Sequence, residues 1–425
     1  MDFTLPEHLP PLLAEMDAFI ERDIAPLQAE NMQYFDHRRE FARTDVDNDG
    51  IPTREWEDLL TEMRRRADKA GWLRYALPAS LGGRDGTNVD MAVIREHLAH
   101  KGLGLHNDLQ NESSIVGNFP QVIMMERFGT DAQRRDWSEA LITGERSMAF
   151  GLTEPLHGSD ATWLETQAER DGDDWVINGS KRFNTGVHRA THDLIFARTS
   201  GEPGQARGIT AFLVPTDAPG FAVPYYWWTF NMPTDHGEVE LTDVRVPADA
   251  VLGEVDRGLE VAQTFLHENR IRQAASSLGA AQYCIDRAAE YAAKRIVFGK
   301  PLSVNQAVQW PLAELQTEAQ MVRLLVYYAA WHLDRDHHME VSDKVSMANY
   351  RANRLVCDAA DRAMQICGGL GYSRHEPFEH IYRHHRRYRI TEGAEEIQIR
   401  RVAQRLFKFG RETKSQEAKS SQVAK

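Results

Sequence analysis

The period of the apolar residues changes twice along this chain, and each change calls for a different kind of packing. Up to about residue 145 the period is helical. "LAEMDAFIERDIAPL" sets Leu13, Met16, Phe19, Ile20 and Ile24 on one face. "REWEDLLTEMRRRADKAGW" repeats this with Trp56, Leu59, Leu60 and Met63, and Gly71 follows as a stop signal. "SLGGRDG" reads as a loop and "VDMAVIREHLAHKG" as a short helix, with two more helical segments up to "EALITG". From 146 to about 257 the period falls to two. In "DWVINGSKRF", Asn178-Gly179 sits between alternating segments, which predicts a hairpin turn there. Short strand-like runs follow, and a small β-barrel or sandwich is expected. From 258 the helical period returns. Val261, Phe265, Ala275, Leu278 and Ala281 mark a helix running to about 294. A second helix starts at "SVNQ", where Ser303 and Gln306 have capping-box spacing, and carries Pro311 in its early part. A third takes Ser342 as N-cap and stops at Gly368-Gly369. The expected fold is α+β: an N-terminal helical domain (1–145), a middle β domain (146–257), a C-terminal antiparallel helical bundle (258–410) and a polar tail (411–425).

A chain of 425 residues is long for one core, so two or three domains are anticipated. The formal net charge of −13 argues against a general nucleic-acid binder, because phosphate binding needs clustered Lys and Arg. Cys284, Cys357 and Cys367 lie far apart inside apolar-periodic segments. They suggest buried thiols in a reducing compartment, with no disulfide framework. "MDFTLPEHLPPLL" lacks a basic stretch leading into an apolar run, so no signal peptide is read there. The longest apolar stretch, "LLVYYAAWHL" at 324–333, is far short of a membrane span. The expectation is a cytoplasmic protein with no membrane or nucleic-acid partner.

Several motifs carry chemistry at first sight. "DVDNDG" at 45–50 spaces Asp45, Asp47 and Asp49 like a calcium loop, but the twelfth position is Trp56, so a solvated acidic loop is expected. His380 and His384 stand at i, i+4, yet Arg383, Arg386, Arg387 and Arg389 crowd them and would repel a cation. No metal site is expected; the basic run is read as facing an anionic ligand or pairing with acidic surface. "SLGGRDG" and "CGGLGY" lack the spacing of a dinucleotide fingerprint. In "RYRITEGAEEIQIRR", Glu392 lies on a Gly directly after this basic run. It is either the solvated start of a helix or a positioned base.

Four segments in register change the weight of these signals. "FGLTEPLHGSD" opens the β region, "YAAKRIVFGKPLSVNQ" ends the first bundle helix, "QICGGLGY" ends the third, and "TEGAEEIQ" follows. Together they resemble the acyl-CoA dehydrogenase family of flavoproteins over residues 5 to 408. The resemblance implies a homotetramer holding FAD between the β domain and the bundles of two subunits. It implies Phe150, Leu152 and Thr153 on the flavin ring, with Phe183, where the family usually has Trp, and Thr185 beside it. Arg295, Phe298, Gln306, Gln365, Gly368 and Gly369 would reach a neighbouring subunit's FAD. Ser159 and Arg270 would lie along the CoA arm, and Gly393 would let the backbone approach the substrate. Glu392 falls on the catalytic base. Ala394 and Glu396 stand where Thr and Gln are common, and Glu395 and Glu396 are expected to face solvent or FAD.

The implied reaction takes a proton from the carbon next to the thioester carbonyl and passes a hydride from the next carbon to the flavin. An electron-transfer flavoprotein is the implied acceptor. A Glu can take so weakly acidic a proton only if burial raises its pKa and the enolate oxygen is stabilised, each such donor being worth ~3 kcal/mol. Glu268, on the first bundle helix, is a competing base; the family position for a base on that helix matches Asn269. Two other readings remain: an oxidase-like enzyme passing electrons to oxygen, and a non-catalytic flavoprotein binding DNA or a partner protein. "NESSIVGNFPQ" at 111–121 should line the far end of the acyl pocket, where Asn111, Ser113, Ser114 and Asn118 suggest a polar, branched or short acyl group.

Overall fold

The N-terminal helices are built around large apolar side chains, with proline and glycine setting their ends. The computed structural model describes residues 4–107, 113–336 and 338–408, and of 266–268 and 338–339 the backbone only. Helix α1 (Leu9–Phe19) passes through a π-helical turn at Ile20–Ile24 into α2 (Ala25–Ala29). Pro26 explains the widened turn: it has no N–H to donate, and its ring would strike the carbonyl four residues back. A short α3 (Arg39–Arg43) leads into a two-stranded hairpin, β1 (Thr44–Asp45) and β2 (Ile51–Pro52). The "DVDNDG" segment is the turn of this hairpin. Asp49 Oδ2 accepts from the Tyr226 N–H at 2.5 Å. Gly50, at φ +79°, lies so close to Trp228 and Met232 that a Cβ would come within 2.9 Å of both. The acidic loop therefore docks onto the β domain. Helices α4 (Arg54–Lys69), α5 (Asn88–His100), α6 (Pro120–Phe128) and α7 (Asp131–Thr143) complete the region. Thr87 and Thr130 cap α5 and α7 through capping boxes with Asp90 and Gln133.

The middle region is one curled sheet of seven strands: β3 (Met148–Gly151), β4 (Gln167–Asp171), β5 (Asp174–Thr185), β6 (His192–Arg198), β7 (Ile209–Pro215), β8 (Phe221–Tyr226) and β9 (His236–Pro247). The order is β3-β6-β4-β5-β9-β8, with β7 on β6 and β3 parallel to β6. Strand β6 is buried on both faces. Leu194 and Phe196 pack toward α6 and α7, while Ile195 and Ala197 pack into the sheet's own core with Trp175 and Phe212.

The predicted hairpin turn at Asn178-Gly179 is not there. The β4–β5 turn is Gly172-Asp173, and β5 runs straight through the Asn-Gly pair with a shift of register against β9. Asn178 exchanges two hydrogen bonds with Asp243 across the bulge, at 3.1 and 2.8 Å. Gly179 is required because a Cβ would come within 2.5 Å of Thr166 Oγ1. The dipeptide favours irregular backbone, and here that irregularity is a bulge.

The third region holds α8 (Gly258–Lys294), a short hairpin of β10 (Ile296–Val297) and β11 (Lys300–Pro301), α9 (Gln306–Leu333), α10 (His338–Tyr372), α11 (Phe378–Arg386) and α12 (Glu395–Phe407). Small side chains such as Ala274, Ala281, Ala348 and Ala359 pack the interior of the bundle. Gly279 brings α5 onto α8, since a Cβ would come within 2.2 Å of the Glu96 carbonyl. Neither predicted serine cap forms. Ser303 lies in a 3₁₀ turn, and α9 starts after Asn305. Ser342 is buried inside α10, which begins a turn earlier so that Val341 can enter the core. The backbone of α10 does break at Gly368 (φ 61°, ψ −137°), as the glycine pair implied. Among the described residues no helix is long and apolar enough to cross a membrane.

Candidate active site

The expected site residues fall into three groups, each held by a different part of the fold. The first is the loop between α11 and α12. Arg389 and Glu395 close it from both sides, at 2.9 and 2.8 Å, and Arg354 from α10 adds two further bonds to the same carboxylate. These arginines, Arg389 first, hold the Glu395 carboxyl down at about 2. Glu395 is thus a buried clasp, contrary to the expectation that it faces solvent or cofactor; Glu396 beside it is exposed. At the tip, Glu392 and Gly393 adopt positive φ in succession, +56° and +86°.

Arg270 of α8 is the support for that tip. It is nine-tenths buried and donates to the Glu392 carbonyl through Nε at 2.9 Å and Nη2 at 2.6 Å. Gly393 is needed here, since a Cβ would meet Arg270 Nη2 at 2.8 Å. Burial pulls the guanidinium down to about 10, partly offset by the Glu392 charge, so it stays cationic at neutral pH. Buried amides hold the same contact from behind. Asn349 donates to the Arg270 carbonyl (2.7 Å), and Asn353 donates to Asn349 (3.0 Å) and to the Tyr388 carbonyl (3.1 Å).

The second group is a bed at the ends of β3 and β5. Phe150 stacks on Phe265 of α8, centroids 4.2 Å apart. Leu152 and Thr153 follow, and the Thr153 carbonyl accepts from Arg182 N at 2.8 Å. Phe183 sits at φ +61° on a second bulge of β5, 46% exposed. This bulge resets the alternation, so Lys181 and Asn184 both turn inward while Phe183 projects out. Thr185 is exposed, with its hydroxyl 3.1 Å from His236 Nδ1. Four of the described non-glycine residues at positive φ are Asp, which tolerates that region; the others are Phe183, Phe298, Glu392 and Lys408. Three of these four are positions the resemblance assigned to the site. Strained backbone at bulky residues concentrates at functional sites.

The third group lies on the outside of the bundle. Arg295, Phe298 and Gln306 are exposed around the β10–β11 hairpin, with Phe298 fully so. Gln365, Gly368 and Gly369 are exposed at the end of α10. A groove of about 340 Å³ runs between the two, lined by Arg287, Lys294, Arg295 and Leu370 among others. A Cβ added at Gly369 would meet nothing within 4 Å, so packing within this chain does not demand that glycine. Glu290 and Glu376 also line the groove and pair with Arg287, so Lys294 and Arg295, beside exposed glycine backbone, are the cations that fit the phosphates of a dinucleotide, and the β-domain bed fits a flat ring.

The remaining expectations fall elsewhere. Ser159 is in an exposed loop. The side chain of Glu268, and Asn111, lie outside the described residues. Ser113 is half-buried, and Ser114 is buried and donates to the His106 carbonyl. Asn118 donates to Asn269 at 3.0 Å and borders a cavity of about 180 Å³ between α5, α6 and α8. Burial first, and then the surrounding arginines, holds His380 and His384 well below the usual imidazole range. The basic run pairs with Glu40, Glu379 and Glu395. Among the described residues no three His, Cys, Asp or Glu are grouped to hold a metal ion. Sequence reasoning missed Glu154, Lys181, Asn184 and Asp193, which form a buried polar cluster behind the bed. Lys181 Nζ lies 2.6 Å from Glu154 Oε1, and Asn184 donates to Asp193.

Family models for the N-terminal, middle and C-terminal domains of acyl-CoA dehydrogenase match residues 28–145, 149–244 and 256–407. The chain is 31% identical over 345 residues to acyl-CoA dehydrogenase FadE12 of Mycobacterium tuberculosis, covering 81% of this chain and 87% of that one. It is 30% identical over 374 residues to the caffeyl-CoA reductase-Etf complex subunit CarC of Acetobacterium woodii, covering 87% and 96%. Butyryl-CoA dehydrogenase from Megasphaera elsdenii superposes with a TM-score of 0.75 at 28% identity, over 96% of this chain and 100% of that one.

Proposed function

The chain belongs to the acyl-CoA dehydrogenase family, oxidoreductases acting on CH–CH bonds, and from that premise we propose that it oxidises the C2–C3 bond of an acyl-CoA thioester to the trans-2-enoyl-CoA. Glu392 is the base that removes the α-proton. Bound FAD supplies the hydride acceptor, with Phe150, Leu152, Thr153, Phe183 and Thr185 around its ring and Arg295, Phe298, Gln306, Gln365, Gly368 and Gly369 reaching it from a neighbouring subunit. The observation that carries this reading is the two-pronged grip of Arg270 on the Glu392 carbonyl. It fixes a strained residue whose own backbone N–H can serve the thioester oxygen while its carboxylate serves the α-carbon. Ser159 and Gly393 lie along the thioester arm.

The Etf in the name of the Acetobacterium relative supports an electron-transfer flavoprotein as the acceptor. That relative is also named a reductase, and microscopic reversibility lets a protonated Glu392 return the proton in the opposite direction. The Asn118–Asn269 amide pair supports an acyl group that is short or carries polar atoms. The test is anaerobic mixing of the FAD-loaded protein with a panel of acyl-CoAs. At least one member should bleach the flavin, with little peroxide formed in air; a protein that takes up no FAD removes the reading.

A further inference from the structure

We propose that Asp193 is a positioning residue for the bound flavin: its carboxyl, buried behind the flavin bed, takes up one proton when the flavin is reduced and makes the reduction potential fall more steeply with pH. The inference rests on the FAD reading above and concerns residues to which that reading gives no role.

The geometry places Asp193 directly against the bed. Phe150 and Leu152 pack on one face of the sheet, and Gly151 between them turns its Cα to the other, where Asp193 lies. A Cβ on Gly151 would stand 3.1 Å from Asp193 Oδ1 and 2.9 Å from Asn184 Nδ2. The same Cβ would stand 2.6 Å from Ile195 Cδ1, so glycine is what lets β3 lie close against Ile195, Asn184 and Asp193 together. Asn184, which donates to Asp193 Oδ2, sits between Phe183 and Thr185 and is turned inward by the Phe183 bulge. Glu154 follows Thr153 directly. Each arm of the bed is therefore backed by a member of this cluster.

The cluster holds its charges almost wholly out of solvent. Asp193, Asn184 and Lys181 have no exposed surface, and Glu154 has almost none. Lys181 is matched by Glu154, which is held in turn by the N–H groups of Glu165 and Thr166. Around Asp193 the strands contribute Ala149 and Gly151 from β3, Ile195 from β6, Val214 from β7 and Val239 from β9, all apolar. Arg182 and Glu238 pair with each other on the opposite side of β5 and β9. His192 turns away to meet Trp137 edge to face. The charge that faces Asp193 is thus the already matched Lys181. An ionised Asp193 leaves the cluster with one net negative charge in an apolar surround, and its Oδ1 has no hydrogen-bond partner among the described residues. Burial accordingly pushes this carboxyl up to about 7.

With FAD held on the Phe150–Thr153 bed, a hydride, two electrons and one proton, would bring one negative charge to the flavin's side of Gly151. That charge further disfavours the Asp193 carboxylate, which takes a proton from solvent; two electrons and two protons are then accounted for. Where Asp193 starts ionised, one extra proton per electron pair changes the reduced-to-oxidised ratio at fixed potential tenfold per pH unit, about 30 mV for a two-electron couple.

The experiment is a spectroelectrochemical titration of the FAD-loaded tetramer from pH 5.5 to 8.5, in wild type and Asp193→Asn. The Asn variant mimics the protonated carboxyl. The two curves should run together at pH 5.5 and diverge above neutrality, with the variant tenfold or more easier to reduce at pH 8.5. A gap between the curves that does not change with pH, or no gap at all, overturns the proposal. If Asp193→Asn fails to fold, infrared difference spectra of wild type at pH 8 decide instead. Reduction should raise a protonated-carboxyl band, and its absence overturns the proposal. A protein that binds FAD and is bleached by acyl-CoA, yet fails these tests, sinks this inference alone; a protein that binds no FAD sinks both.

Discussion

Arg270 grips the backbone of Glu392: two bonds, 2.9 and 2.6 Å, end on the Glu392 carbonyl. The arrangement fixes where the residue is through its backbone. A planar fork suits one acceptor approached by two parallel N–H groups, and an ammonium cannot reproduce it. Arg270→Lys should therefore keep FAD bound but slow flavin reduction by roughly 10²-fold, the scale on which small misplacements act. Stopped-flow reduction alongside FAD titration checks this. A full-speed Lys variant would show that the fork is not what positions the loop.

The Glu395 clasp should govern acid stability. Its carboxyl, held down to about 2 by Arg389 and Arg354, lies below its ordinary value. A depressed carboxylate contributes stability that is complete above the unfolded value near 4.5 and lost as pH falls toward 2. Glu395→Gln should lose on the order of 1–3 kcal/mol at pH 7, the range for charged hydrogen bonds, and lie much closer to wild type at pH 3. Urea melts at both pH values read this out. An equal gap at pH 7 and pH 3 would refute the clasp's charge as the cause.

Phe183 carries strain that its own packing does not explain. It sits at φ +61° and is 46% exposed, with one tilted ring contact to Trp227 at 5.3 Å. Such backbone costs about 1–3 kcal/mol in a bulky residue, and glycine relieves it. Phe183→Gly should leave the FAD-free protein within about 1 kcal/mol of wild type, because relief offsets the added freedom of the unfolded chain. FAD affinity should drop. A large stability loss with unchanged FAD affinity would make Phe183 a structural residue.

The outer face of α9 offers an apolar surface for the proposed tetramer. Trp310, Met321, Leu324, Tyr328 and Trp331 recur at helical spacing, and each is 46% exposed or more. On the proposed arrangement, in which Arg295 and Gln306 serve a neighbour's cofactor, charging this stripe, for example Leu324→Glu with Tyr328→Glu, should split the assembly and release FAD. Light scattering with a flavin absorbance trace checks it. A wild-type protein that runs as an FAD-loaded monomer excludes the arrangement.

The order helix, sheet, helix was legible because burial imposes the 3.6 and 2.0 periods directly on the chain. What failed was local grammar. Asn178-Gly179 favours any kink, and only its pairing with Asp243, 65 residues away, makes it a bulge. Ser342 has a cap's chemistry but sits behind Val341, which the core takes first. The Arg270 grip spans 122 residues and ends on a carbonyl that every residue has, so no side-chain pattern could announce it. The Asp193 cluster was hidden for another reason. The Phe183 bulge breaks the alternation that would have put Lys181 and Asn184 on opposite faces.

The central claim is that Glu392 is the base. Glu392→Gln keeps the side-chain shape and the carbonyl that Arg270 grips, and removes the proton acceptor together with its charge. The measurement is the single-turnover rate of flavin reduction by the best acyl-CoA in the panel, beside Glu268→Gln as a control. The account predicts that Glu392→Gln still binds FAD and still perturbs the flavin spectrum with acyl-CoA, while reduction falls by ~10² to 10⁴ and Glu268→Gln stays near wild type. Near wild-type reduction in Glu392→Gln, with the loss in Glu268→Gln instead, would place the base on α8 and contradict it.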